Sequence, residues 1–135
     1  MAEVSIKARE TIASWPDLSA EAARLVIDTY GEPHEISGTE LRWFGVGPWK
    51  RIIAQRWPWE HRFPAPHHDS VESFIDLRVP VDKYSAIAEF DGSVMAERTT
   101  GELSARCHDE QANLLALNLA HEIITDRRSV DDARA

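Results

Sequence analysis

Two β-prone runs, TELRWF and WKRIIAQR, stand on either side of the tetrapeptide GVGP. Two glycines and a proline in four residues break any helix and favour a tight reversal, so the flanking runs must pair as an antiparallel hairpin. Pairing Phe44 with Trp49 puts Leu41, Trp43, Ile52 and Ala54 on one face. The same register sets Arg42 opposite Arg51. Like charges facing across a ladder destabilise it. Either the register differs, or an anion or carboxylate lies between them. A second hairpin is expected where VMAERT and ELSARC approach each other around a Thr-Gly turn. There Val94, Ala96, Leu103, Ala105 and Cys107 face the core, and Met95, Glu97, Thr99, Glu102, Ser104 and Arg106 face away.

Helices precede and follow these hairpins. Val4, Ala8, Ile12 and Trp15 share one face of a helix over 4–14, which Pro16 ends. Ser19 is the expected cap of a helix over 20–30, with Ala22, Ala23, Val26, Ile27 and Tyr30 inward and Gly31 after its last turn. Pro80 and Asp82 open a helix over 81–90 with Ile87 and Phe90 inward. The longest helix spans 109–125, with Leu114, Leu117, His121 and Ile124 as its apolar stripe, and Ser129 and Asp132 start a last short turn. Asp69 and Glu72 have capping-box spacing, which predicts a short helix over 70–77, although a strand over 73–79 suits Phe74, Ile75, Leu77 and Val79 as well. The order helix–hairpin occurs twice, at 20–56 and 81–107. The expected fold is α+β: one domain over 1–135, a four-stranded antiparallel sheet from two helix–hairpin units, helices packed on one face.

At 135 residues the chain can bury roughly two-thirds of its unfolded surface without a metal or disulfide. It has one cysteine, and the opening MAEVSIKARETIASW has no apolar run of secretory type. No stretch has the length or hydropathy of a membrane span. The expected location is the cytoplasm. The net charge of −8 argues against general nucleic-acid binding, because phosphate contacts need positive surface.

That charge is uneven. From Arg42 to Arg62 there are five basic residues and one acid, a local +4, so the remainder carries −12. Arg42, Lys50, Arg51, Arg56 and Arg62 interleave with Trp43, Phe44, Trp49, Trp57, Trp59 and Phe63. Trp and Arg are enriched in interface hot spots, and a guanidinium grips carboxylates with two bonds. Arg42, Trp49, Lys50, Arg51, Arg56, Trp57, Trp59 and Arg62 are therefore the candidate binding residues of a non-enzymatic module. The partner would be an acidic protein or a second copy in a homodimer. An anionic small molecule or single-stranded nucleic acid is a further alternative. The plain alternative is that the cations pair with acidic helices of the same chain.

WPWEHRFPAPHHD holds three prolines and three histidines in thirteen residues, and reads as a stiff surface loop over 57–66. His61, His67, His68 and Asp69 are candidate ligands for one divalent transition metal such as zinc, with Glu72 in reach. Adjacent side chains on extended backbone point apart, so His61 would join only one of His67 and His68. Such a metal would activate water for hydrolysis. The plain alternative is polar decoration of the loop. His121-Glu122 lacks the second histidine of a metalloprotease helix, since Thr125 occupies that position, and His121 reads as a core or interface residue. His108 stands where a helix N-terminus would bind an anion. Cys107 turns inward in its hairpin and reads as an inert thiol.

Two resemblances accompany these patterns. FDGSVMAERTTGELSARC and NLLALNLAHEIITDRRSVDDAR, with GPWKR and FPAPHHD as landmarks, resemble the C-terminal half of a family of small uncharacterised bacterial proteins, over about residues 74–134. That family has no established activity, so the resemblance implies no catalytic residue. VIDTYGEPHEISGTELRWF is similar to the helix–loop–strand opening of helix–hairpin domains in the β-lactamase inhibitor protein and in outer-membrane assembly lipoproteins. That likeness implies a protein-binding module.

Overall fold

The computed structural model describes residues 2–61, 67–107 and 109–135, with side chains from residue 7 onward apart from those at 61 and 67. Helix α1 (Ala2–Ile12) buries Ala8 and Ile12, and Trp15 follows on the same side, its indole donating to the Gly38 carbonyl at 3.0 Å. Helix α2 (Asp17–Tyr30) begins directly after Pro16, three residues earlier than its sequence suggests. Proline supplies a fixed φ and its carbonyl accepts the first helical bond, from Ala20 at 2.9 Å. Ser19 is therefore not the cap. It is fully buried inside the helix, and its hydroxyl donates to the Arg56 carbonyl at 2.7 Å, tying α2 to the sheet. Gly31 ends α2 at φ +81°.

Six strands, not four, form one antiparallel sheet in the order β1-β2-β3-β4-β6-β5. They are β1 (Glu35–Ile36), β2 (Glu40–Val46), β3 (Trp49–His61), β4 (His67–Asp76), β5 (Val94–Glu97) and β6 (Glu102–Cys107). The two expected hairpins are β2–β3 and β5–β6. In the first, Val46 faces Trp49 and Arg42 faces Ile53, a slip of two residues from the expected pairing. A two-residue slip preserves which side chains face the core, because side chains alternate with period two. Leu41, Trp43, Ile52 and Ala54 are accordingly buried, and the Arg42–Arg51 opposition does not arise. The second hairpin slips likewise, with Glu97 facing Glu102.

The segment expected as a helix over 70–77 is strand β4, in the middle of the sheet. Every residue from Asp69 to Phe74 is buried, on both faces. Asp69 and Glu72 do not cap anything: Glu72 accepts bonds from Ser104 and Arg106 across the β4–β6 ladder. The expected loop over 57–66 is also corrected. Trp57–His61 extend β3, and the register shifts between Ala54 and Trp59, around Pro58. An irregularity is where a strand tolerates a residue with no N–H to donate. Residues 62–66, which include Arg62 and Phe63, lie outside the described residues, as does His108.

The chain then runs through a 3-10 turn (Val81–Lys83), α3 (Tyr84–Phe90), α4 (Glu110–Ile124) and α5 (Val130–Arg134). Asp109 caps α4 by accepting from the Ala112 N–H at 2.8 Å, and Ser129 caps α5 from Asp132 at 3.1 Å. Helices α2 and α4 lie on one face of the sheet and enclose the core around Trp43, Ile52, Val71, Leu103 and Ala105. The inward face of α4 is Asn113, Ala116, Leu117, Ala120 and Ile123. His121 is exposed, not part of the core, because small alanines rather than the larger Leu114 and Leu115 let the helix approach the sheet. Among the described residues no helix is long and apolar enough to cross a membrane.

Candidate functional site

The sheet face opposite α2 and α4 carries Arg42 and Arg51 of the cations singled out in the sequence, together with Arg106. Register aligns them in two rows across the strands: Phe44, Arg51, Phe74, Ser104, Met95 in one, and Arg42, Ile53, Glu72, Arg106 in the other. Most of their charge is satisfied within the chain, and by neighbouring strands rather than by acidic helices. Arg51 makes a two-pronged contact with Glu102, at 3.0 and 3.1 Å, while its guanidinium lies 3.9 Å from the centre of the Phe74 ring. Lys50 reaches Glu102 at 2.7 Å and Asp76 at 3.0 Å. These contacts hold the Glu102 carboxyl below its usual range, the Lys50 hydrogen bond first and Arg51 after it, against a desolvation that opposes them. Arg106 bonds Glu72 at 3.1 Å and lies 4.2 Å over the Trp59 ring. Arg42 is held by Glu40 at 2.6 Å. Arg56 lies 5.5 Å from the Trp57 ring and has no carboxylate partner among the described residues.

The aromatic residues divide. Trp49 is buried, with its indole N–H bonded to Glu110 at 2.8 Å, so it presents nothing to a partner at the surface. Trp57 is 57% exposed and Phe44 42%, the two large apolar surfaces left on β2 and β3. Beyond Gln55 the β2 ladder stops, and beyond Val71 the β6 ladder stops. From there β3 and β4 continue as a two-stranded ribbon, with Trp59 opposite Asp69, Glu60 opposite His68 and His61 opposite His67. The Arg106–Trp59 stack ties this ribbon to the sheet. Sequence reasoning missed Phe74, Asp76, Glu102, Ser104 and Arg106 as parts of the face. The signal was available in β6, whose alternation turned Glu102, Ser104 and Arg106 outward together.

Of the metal candidates, Asp69 is fully buried and His68 exposed, and the side chains of His61 and His67 lie outside the described residues. Among the described residues, no three His, Cys, Asp or Glu side chains are grouped to hold an ion. Cys107 is buried, and desolvation followed by the charges of Asp69, Asp91 and Asp109 pushes its thiol up to about 12, which makes it inert at neutral pH. Comparison with family models, with curated proteins and with solved structures finds no match to this chain.

Proposed function

We propose that the chain is a small non-enzymatic binding domain that associates with a second copy of itself through the uncovered sheet face and the β3–β4 ribbon. The observation that carries this reading is the exposure of Phe44 on the sheet face and of Trp57 where β3 runs out into the ribbon, beside cations largely neutralised by the chain's own carboxylates. An acidic partner that engaged Arg51 or Lys50 would draw it away from Glu102, and leaving a buried charge unpaired costs about 2–5 kcal/mol; Arg56, with no carboxylate partner among the described residues, is the cation it would reach without that cost. A second copy faces no such cost. The chain as a whole carries −8, so two copies repel over most of their surface. On this face Arg42, Lys50, Arg51 and Arg106 stand among Glu40, Glu72, Asp76 and Glu102, which removes the repulsion where contact is made.

Analytical ultracentrifugation tests it. The expected mass is twice the 15.3 kDa of the chain, falling to the monomer for Phe44→Glu with Trp57→Glu. A monomeric native protein, or a dimer indifferent to both substitutions, would sink the proposal. A second reading, a hydrolytic site built on one divalent transition metal, draws on one observation: His61 and His67 occupy directly opposed positions on antiparallel strands, with Asp69 two residues further along. Elemental mass spectrometry of purified protein decides it, since a stoichiometric metal lost in His67→Ala is required.

A further inference from the structure

On the opposite side of the molecule, a groove of about 250 Å³ runs between α2 and the first turn of α4. Its walls are Ala22, Leu25 and Val26, its floor is Ile52, Val71 and Ser73 of the sheet, and Asp109 and Glu110 stand at its rim. It falls below the roughly 300–1,000 Å³ of small-molecule pockets, and suits one or two side chains of a protein segment. Leu25 is 47% exposed at the lip.

Glu110 differs from the carboxylates of the sheet. Glu72 and Glu102 are each matched by Arg or Lys. Glu110 instead accepts from two neutral groups, the Tyr30 hydroxyl and the Trp49 indole, and pairs with no cation among the described residues. Burial, and then the bond to Glu110, push the Tyr30 hydroxyl up to about 12, so the phenol keeps its proton at neutral pH and stays a donor to Glu110. Trp49 also walls a second apolar hollow with Pro48, Ile75, Leu114 and Leu117. Glu110 thus stands at the edge of the apolar α2–α4 groove, with no cation paired to it among the described residues.

We infer that the α2–α4 groove docks a segment of another protein in which Lys or Arg, placed beside an apolar anchor, pairs with Glu110 while the anchor enters against Leu25 and Val26. Charge complementarity selects this occupant. The rim is acidic, so the occupant supplies the cation; a second copy, whose Arg56 adjoins the exposed Trp57, is the competing occupant that ultracentrifugation of Leu25→Ser tests. The inference is independent of the dimer proposed above, which uses the other face.

The probe is a fluorescein-labelled amphipathic peptide of Leu and Lys, with a Leu and Glu version as its control, followed by fluorescence anisotropy. Glu110→Gln keeps an acceptor for Tyr30 and Trp49 and removes only the charge; circular dichroism checks that the fold is kept. The expected result is binding of the Lys peptide alone, weakened about tenfold by Glu110→Gln, the scale of one charge-assisted hydrogen bond. Leu25→Ser weakens it as well, and Glu21→Gln, an equal charge change on the exposed side of α2, does not. No binding by the native protein, equal loss with Glu21→Gln, or equal binding of the Glu peptide overturns the inference. A halved mass of Leu25→Ser in ultracentrifugation would also overturn it, by assigning the groove to a second copy.

Discussion

Gly47 illustrates how a single residue can carry more constraint than its size suggests. It sits in the β2–β3 turn at φ +53°, and a Cβ added there would lie 2.6 Å from the Tyr30 hydroxyl. Gly31 shares the positive φ, at +81°, but a Cβ there meets nothing within 4 Å. Both positions charge an L-residue for the left-handed conformation, and only Gly47 adds a clash with the group that holds Glu110. Gly31→Ala is therefore expected to cost about 1 kcal/mol and Gly47→Ala about 2–4 kcal/mol, read from urea denaturation midpoints. Equal losses would show that Tyr30 yields freely. Glycine in a turn was legible in GVGP. That one of its glycines also makes room for a tyrosine seventeen residues earlier was not, because the contact joins α2 to a turn across the fold.

Elements behave as units whose ends are set by a few polar groups. The turn between β5 and β6 is organised by Glu97, which accepts from the Thr100 hydroxyl and from the N–H groups of Thr99 and Thr100 at 2.9 and 2.8 Å. These bonds, led by the Thr100 hydroxyl, lower the Glu97 carboxyl to about 2. A depressed folded pKa stabilises the turn above the unfolded carboxylate range, and that contribution is lost as pH falls from about 4.5 toward 2. The protection of the Thr99 and Thr100 amides, taken relative to the intrinsic exchange rate at each pH, should fall over this window, and Glu97→Gln should abolish that fall; constant protection down to pH 2 contradicts it. Strand β4 is the element the sequence disguised. Asp69 and Glu72 imitate a capping box, yet Glu72 exists to meet Ser104 and Arg106 on a strand thirty residues away. Local spacing cannot reveal a partner of that kind. Likewise Pro58 argued against a strand, and it is a register shift, visible only in the ladder, that accommodates it.

Across the molecule, two faces of one sheet have different tasks. One holds the helices and the core. The other is a lattice of Arg, Lys, Glu and aromatic rings that neutralises itself and leaves Phe44 and Trp57 outside. If that face closes a dimer, unfolding includes dissociation, and the thermal midpoint must rise with protein concentration. Phe44→Glu with Trp57→Glu should remove this concentration dependence. A native midpoint that does not move over a hundredfold dilution speaks for a monomer.

The sequence by itself determined the α+β class, both hairpins, the side of each hairpin that faces the core, helices α2 and α4, the capping of α5 and the inert Cys107. These follow from periodicity and from glycine and proline, which act over a few residues. Only the tertiary structure decided the sheet's six strands, the registers, the strand nature of β4 and the fate of the basic island. The pairing of Arg51 and Lys50 with Glu102 joins residues fifty positions apart. Charge counts locate such cations along the chain, and only strand order determines which carboxylate stands beside each of them.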